Sequence, residues 1–259
     1  MWKREAAAIA RLAAPVIIGQ WAAVAMNFVD TVMCGRFSPA ALAAVAVGGS
    51  LWATAMLFLT GVLMALPPSL AHLRGGGERA ACADVGWQVL WIAQALSLGL
   101  VGVLLACENL LRAVGVSAEI VPLAGDYLRA IAWGVPAFAG YQVLRFFHEG
   151  FARTRPGMAF GLVGLGVNVV GNYVLIFGAF SFPALGVVGC GYATALVFWL
   201  QFIGLGLYTL RGRRFRDLTL WRVIAPERSR VVALLRLGLP IGVAVFVEAS
   251  LFSGVALLV

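Results

Sequence analysis

The chain has 259 residues, of which 62% are hydrophobic and only 12% charged, with a mean hydropathy of +0.97. A soluble domain is about half apolar and a quarter charged, so this balance excludes an ordinary soluble globule and indicates an all-α polytopic membrane protein. The net charge of +8 would suggest nucleic acid in a soluble chain, whereas a bilayer protein collects Lys and Arg in its cytoplasmic loops. Cys34, Cys82, Cys107 and Cys190 have neither CxxC spacing nor a histidine cluster, so neither a zinc site nor a disulfide framework is expected.

The basic start, MWKRE, is followed by an apolar run to Met33 without a small-residue cleavage signal, which reads as a retained first helix from about Leu12 to Met33. Ser38 is placed to cap a second helix with Pro39 at its first position. That helix runs from about Ala40 to Leu66, and Pro67, Pro68 and Ser69 mark its end. The polar link at 72–80 leads to a third helix, Val85 to Cys107. A fourth spans the apolar stretch Ala130 to Leu144, with Asp126 and Arg129 in its first turns and Pro136 as a kink. The fifth, Pro156 to Phe180, has no charged residue over a length sufficient to cross a ~30 Å hydrocarbon layer. A sixth runs from Val187 to Leu210. These divide the chain into a six-helix lobe (1–210), a cytoplasmic linker (211–236) and a seventh helix (237–259) that opens a second lobe.

With the N-terminus inside, all but Arg36, Arg112 and Arg129 of the 19 basic residues fall in inner segments, a strong positive-inside bias that accounts for the charge without nucleic acid. Arg11, Leu12, Pro15 and Val16 are echoed by Arg236, Leu237, Pro240 and Ile241 at the start of the seventh helix. Six helices separate the two strings, as in a parallel repeat.

Asn168 and Asn172 are four apart, so their amides share one face, which must look into protein or water because an unpartnered amide in lipid costs several kcal/mol. Gly157, Gly161, Gly164 and Gly171 on the same helix permit close approach of a neighbour. On the first helix Gln20, Asn27, Asp30 and Thr31 form a polar seam, with Asp30 at about the same outer level as Asn172, so one cavity could hold both. Two readings stand for Asp30, an interfacial acid paired with Arg36 and a member of an ion or substrate path. Glu248 is the only charge in the seventh helix and stands at its middle, where an unpaired carboxylate costs at least ~2.5 kcal/mol. A proton or cation site and a structural hydrogen bond both fit it. Tyr141, Gln142, Tyr192, Thr194 and Gln201 could line the same cavity, with packing the simpler role for them.

The strings APVIIGQ and VDTVMCG in the first helix, LRFFHEGFARTRPGM leading into NVVGNYVLIFG, LGVVGCGYATAL, and GLPIGVAVFVEASLF together resemble the multidrug and toxic compound extrusion family, in particular its NorM-like branch. The resemblance implies a two-lobed antiporter of the bacterial cytoplasmic (inner) membrane, N-terminus inside, monomeric when complete. It would expel small cationic organic compounds in exchange for Na⁺ or H⁺ and need no cofactor. It implies that Asp30 with Asn168 and Asn172 belongs to the N-lobe cavity site; the polar seam adds Asn27 and Gln20 to this substrate and proton cavity, and Tyr141 is a further candidate for its lining. Cation coupling would involve Asp30 and Glu248, with a possible Na⁺ site at Glu248. The chain ends in the seventh helix, so the second-lobe acids are absent; alone it is expected to fold but not to drive efflux, with its seventh helix packing loosely.

Two other classes compete. An intramembrane enzyme would need a GxSxG nucleophile, a His/Asp metal cluster or paired Asp motifs. None is present, and His72 and His148 are expected in loops. A flippase for lipid-linked oligosaccharides would place several arginines in its cavity to meet a pyrophosphate, whereas the intramembrane charges here read as acidic.

Overall fold

The computed structural model describes residues 2–258 except 114, 213, 214, 216, 217, 219 and 221. Among the described residues it is all-helical: α1 (Trp2–Phe37), α2 (Pro39–Leu63), α3 (Leu66–Gly75), α4 (Ala81–Leu105), α5 (Cys107–Ala113), α6 (Ile120–Ala132), α7 (Val135–Gly150), α8 (Arg155–Phe177), α9 (Val187–Arg211) and α10 (Arg228–Leu258). Six of the resulting spans are long and apolar enough to cross a bilayer: α1, α2 continued by α3, α4, α8, α9 and α10. Their outer faces carry exposed Trp21, Phe28, Leu98 and Leu196, as lipid contact requires. This is a multi-pass membrane protein.

The start of α2 follows from its sequence. The Ser38 hydroxyl accepts from the Ala41 N–H at 3.0 Å, and Pro39 supplies the first-turn φ at no cost in hydrogen bonds. The end of that segment differs from expectation. Pro67 and Pro68 do not close the helix but open α3, because a proline in a first turn forfeits an N–H that would be orphaned anyway.

The fourth crossing begins ten residues earlier than the apolar pattern indicates, and Pro136 does more than kink it. The helix is interrupted at Trp133 and Gly134, giving α6 and α7. Both interrupting residues keep right-handed helical dihedrals, so the two pieces run on from one another. The carbonyl of Trp133 accepts from the Trp199 indole N–H at 3.0 Å, and that of Pro136 from the Gln94 amide at 3.2 Å. Side chains of neighbouring helices thereby satisfy backbone groups that lipid could not. Arg129 is neutralised where it stands, paired with Asp126 at 2.9 Å and with Glu108 of α5. His148 also departs from expectation: it lies within α7, buried, bonded to the Thr209 hydroxyl at 2.9 Å, while His72 is an exposed residue of α3.

α8 is clasped between α1 and α9. A Cβ at Gly161 would reach van der Waals distance of the Gly19 backbone, and one at Gly171 would press on Ala193 at 3.3 Å. At its end Gly178 adopts φ +76, a left-handed cap that turns the chain into the connection to α9. There Leu185 and Gly186 donate back to the carbonyls of Leu175 and Ile176.

The linker is not free. The Gln88 side chain donates to the Ala225 carbonyl at 3.0 Å and accepts from the Glu227 N–H at 2.8 Å, while the Trp91 indole donates to the Ile224 carbonyl. Arg213, Arg214 and Arg216 lie outside the described residues. The last helix starts at Arg228, nine residues before the expected Leu237, with Arg230 paired to Asp84 at 3.2 Å. It does not pack loosely. A Cβ at Gly61 of α2 would lie 2.7 Å from the Gly242 Cα, and one at Gly242 would lie 2.6 Å from a Val62 methyl. Small residues on both helices let the backbones meet, which is the main source of close helix packing in a bilayer.

Candidate functional site

Asp30 sits on the buried face of α1, 3% exposed, opposite α8 and α9. Its Oδ1 accepts from the Asn172 amide at 2.6 Å and from the Asn168 amide at 3.0 Å; its Oδ2 accepts from the Thr194 hydroxyl at 3.0 Å. Asn168 also donates to Thr194 at 3.3 Å, and Asn172 to the Asn168 carbonyl oxygen at 3.1 Å. The four-residue spacing on α8 puts both amides within reach of one carboxyl group, and Thr194 of α9 closes the set from the third side. Arg36 makes no ion pair with Asp30, so the interfacial pairing does not occur. Every bond at the carboxyl group is one it accepts. The Asn172 Oδ1, buried beside it, has no partner among the described residues. A carboxyl group, three donors and a spare amide oxygen form a nest that a proton or a small cation could share.

Next to this cluster lies a cavity of about 330 Å³. Gln20 and Asn27 of α1, Thr60 of α2, Tyr141 and Gln142 of α7, and Thr194 and Gln201 of α9 give it polar points. Asp30, Asn168 and Asn172 do not line it. They stand behind Thr194, which lines the cavity and whose hydroxyl donates to the carboxylate. The seam on α1 is therefore split: Gln20 and Asn27 face the cavity, Asp30 the interior. The Tyr141 hydroxyl donates to the Gly157 carbonyl at 3.0 Å, tying α7 to the start of α8. Tyr192 is exposed and outside the cavity.

Two features escape sequence reasoning. Trp52, Phe138 and Phe198 form an aromatic wall of the cavity, with Trp52 and Phe198 stacked at 5.8 Å and Phe138 edge-on to Phe198 at 5.1 Å. They come from three helices far apart in the chain, and no local spacing relates them. Arg145, assigned by charge bias to an inner loop, lies on α7 and lines the cavity, so the intramembrane charges are not all acidic. Its guanidinium donates to Gln20 at 3.1 Å and pairs with Glu149 at 3.5 Å.

Glu248 is not brought to this site. It lies on α10, which packs on α2, and its side chain is exposed, with no hydrogen bond or ion pair among the described residues.

The MatE family model matches residues 15–174, which take in most of α1, all of α2 to α7 and most of α8. Solved structures agree in fold. A MOP superfamily transporter from Pyrococcus furiosus, described as having a binding pocket of reverse polarity that suggests a different function, superposes with a TM-score of 0.80 at 26% identity, covering 92% of this chain and 52% of its own. A multidrug resistance MATE family transporter in an outward-facing conformation gives 0.81 at 26% identity with the same coverages. A MATE protein in complex with MaD3S gives 0.80 at 25%, covering 92% of this chain and 53% of its own. The chain thus spans about half the length of the transporters it matches.

Proposed function

Since this chain belongs to the MatE family, we propose that it forms part of a cation-coupled antiporter that exports cationic organic compounds, with Na⁺ or H⁺ as the coupling ion. The observation that carries this reading is the buried Asp30 carboxylate, held only by neutral donors beside an amide oxygen unpartnered among the described residues and bonded to Thr194, a residue of the cavity wall. Such a group exchanges a proton or cation for contact with a substrate through Thr194. The aromatic wall of Trp52, Phe138 and Phe198 offers ring faces to an organic cation, an attraction of about 0.5–2 kcal/mol that grows as water leaves. Alternating access would come from this lobe rocking against a second one. The membrane is the bacterial cytoplasmic one with the N-terminus inside, from the bias of basic residues.

Arg145 brings the flippase reading back into view, but one guanidinium already engaged by Gln20 and Glu149 is a poor bed for a pyrophosphate, which calls for several free arginines. The test is efflux of a cationic dye by the complete protein in vesicles, with Na⁺ and pH gradients imposed separately. One gradient should drive it; dye movement indifferent to both would overturn the antiporter.

Glu248 is assigned the second coupling position, to be completed by groups of the other lobe. Because its side chain is exposed here, Glu248→Gln should change stability by no more than about 0.5 kcal/mol. In the same vesicles it should weaken the response to Na⁺ or pH. An unchanged response would leave Glu248 without a coupling role.

A further inference from the structure

A second pocket, of about 390 Å³, lies where the start of α8 and the end of α9 meet the third turn of α1, near the start of its apolar span and at the end of the bundle where the basic residues collect. Arg11, Arg153 and Arg155 line it, together with Leu12, Phe160 and Tyr208. Arg112, Arg129, Arg145 and Arg230 are each paired with a carboxylate, whereas these three have no acidic partner among the described residues. Their convergence is built by the backbone. Ala152 adopts φ +55, a left-handed conformation that costs a non-glycine residue about 1–2 kcal/mol. The turn is pinned by the Ala152 N–H on the Glu149 carbonyl at 2.7 Å and the Arg153 N–H on the His148 carbonyl at 2.9 Å. The loop thus carries Arg153 and Arg155 to the same pocket as Arg11 of α1.

We propose that this pocket binds the phosphate headgroup of an anionic membrane lipid such as phosphatidylglycerol. Three guanidiniums with no acidic partner among the described residues attract a phosphate, and Arg presents paired donors that match its oxygens. The depth fits, because the pocket sits at the ends of three membrane-crossing helices, where headgroup phosphates lie, and basic pockets between such helices bind anionic headgroups. The remaining walls select lipid over free phosphate. Phe160 and Tyr208 meet edge-on at 6.3 Å, and with half-exposed Leu12 they give apolar surface for a glycerol backbone and upper acyl chain, which inorganic phosphate would leave bare. The site rests on the membrane placement of these helices and is independent of ion coupling at Asp30.

The test is native mass spectrometry of the complete protein released from bilayers of equal phosphatidylglycerol and phosphatidylcholine. Wild-type protein should retain phosphatidylglycerol in preference, and Arg11→Gln/Arg153→Gln/Arg155→Gln should lower that retention at least about tenfold. Arg155→Gln alone, a change at an exposed side chain that keeps the fold, should lower it several-fold and serves if the triple variant does not fold. Arg211→Gln/Arg228→Gln/Arg236→Gln removes the same charge from exposed positions at the same end and should retain lipid like the wild type. Equal loss in both triple variants would reduce the effect to general surface charge and overturn the site. Displacement of the lipid by millimolar inorganic phosphate would overturn the lipid as its occupant.

Discussion

Asp30→Asn abolishes gradient-driven efflux by the complete transporter and leaves its fold nearly untouched: this is the largest functional effect expected of any single change. The amide is close to isosteric, so its oxygen can still accept from Asn168 and Asn172 where Asp30 Oδ1 does now. Its N–H₂ then faces Thr194, whose hydroxyl already accepts from Asn168 and has one lone pair left to accept once it turns. The net change in bonding should be about 1 kcal/mol, or roughly 2–4 °C in melting temperature. What is lost is the ionisable group, and with it the only acid bonded to Thr194 at the cavity wall. Asp30→Ala makes the contrast. It strips three buried donors of their acceptor at about 1–3 kcal/mol each, so it should lose stability as well as transport. Dye efflux and melting temperature, measured on both variants, separate the roles. Wild-type efflux by Asp30→Asn would make the acid structural and leave the coupling mechanism without its first residue.

Gly61→Leu has the largest expected effect on the fold. A Cβ there would meet the Gly242 Cα at 2.7 Å, the Gly242 nitrogen at 3.2 Å and the Ile241 carbonyl oxygen at 3.4 Å. All three are backbone atoms, so no side chain can rotate aside and α10 must move off α2. The cost should be about 3 kcal/mol, a fall of roughly 6–12 °C, and the edge-to-face contact of Phe58 with Phe246 at 6.1 Å would be lost with it. Gly49→Leu on the same helix is the control, because nothing lies within 4 Å of a Cβ there. If the two variants melt together, α10 is not clamped by its glycines.

Much of this molecule was legible because membrane helices obey local rules. The uncharged run from Pro156 to Phe180 has to satisfy its backbone internally, so a helix is the only answer, and α8 differs from that span by a few terminal residues. Ser38 and Pro39 act within one turn, so their cap could be read directly. The four-residue step from Asn168 to Asn172 could be read as a shared face for the same reason. Other features turn on what lies across the bundle. The carbonyl of Trp133, at the interruption between α6 and α7, is met by the Trp199 indole, 66 residues on. Whether Pro136 bends or breaks the fourth crossing is thus decided by another helix. Arg145 looked like loop charge until α7 was found to continue through it to Gly150, which places its guanidinium beside Gln20 of α1. Asp30 was visible as an acid on a polar seam, but not its place behind Thr194, outside the cavity lining. Hydropathy, capping and helical period act over about four residues and belong to the sequence. Which carboxylate meets which amide and hydroxyl, across separations of 138 to 164 residues, is set by how closely glycine-bearing helices can approach, and only their packing decides it.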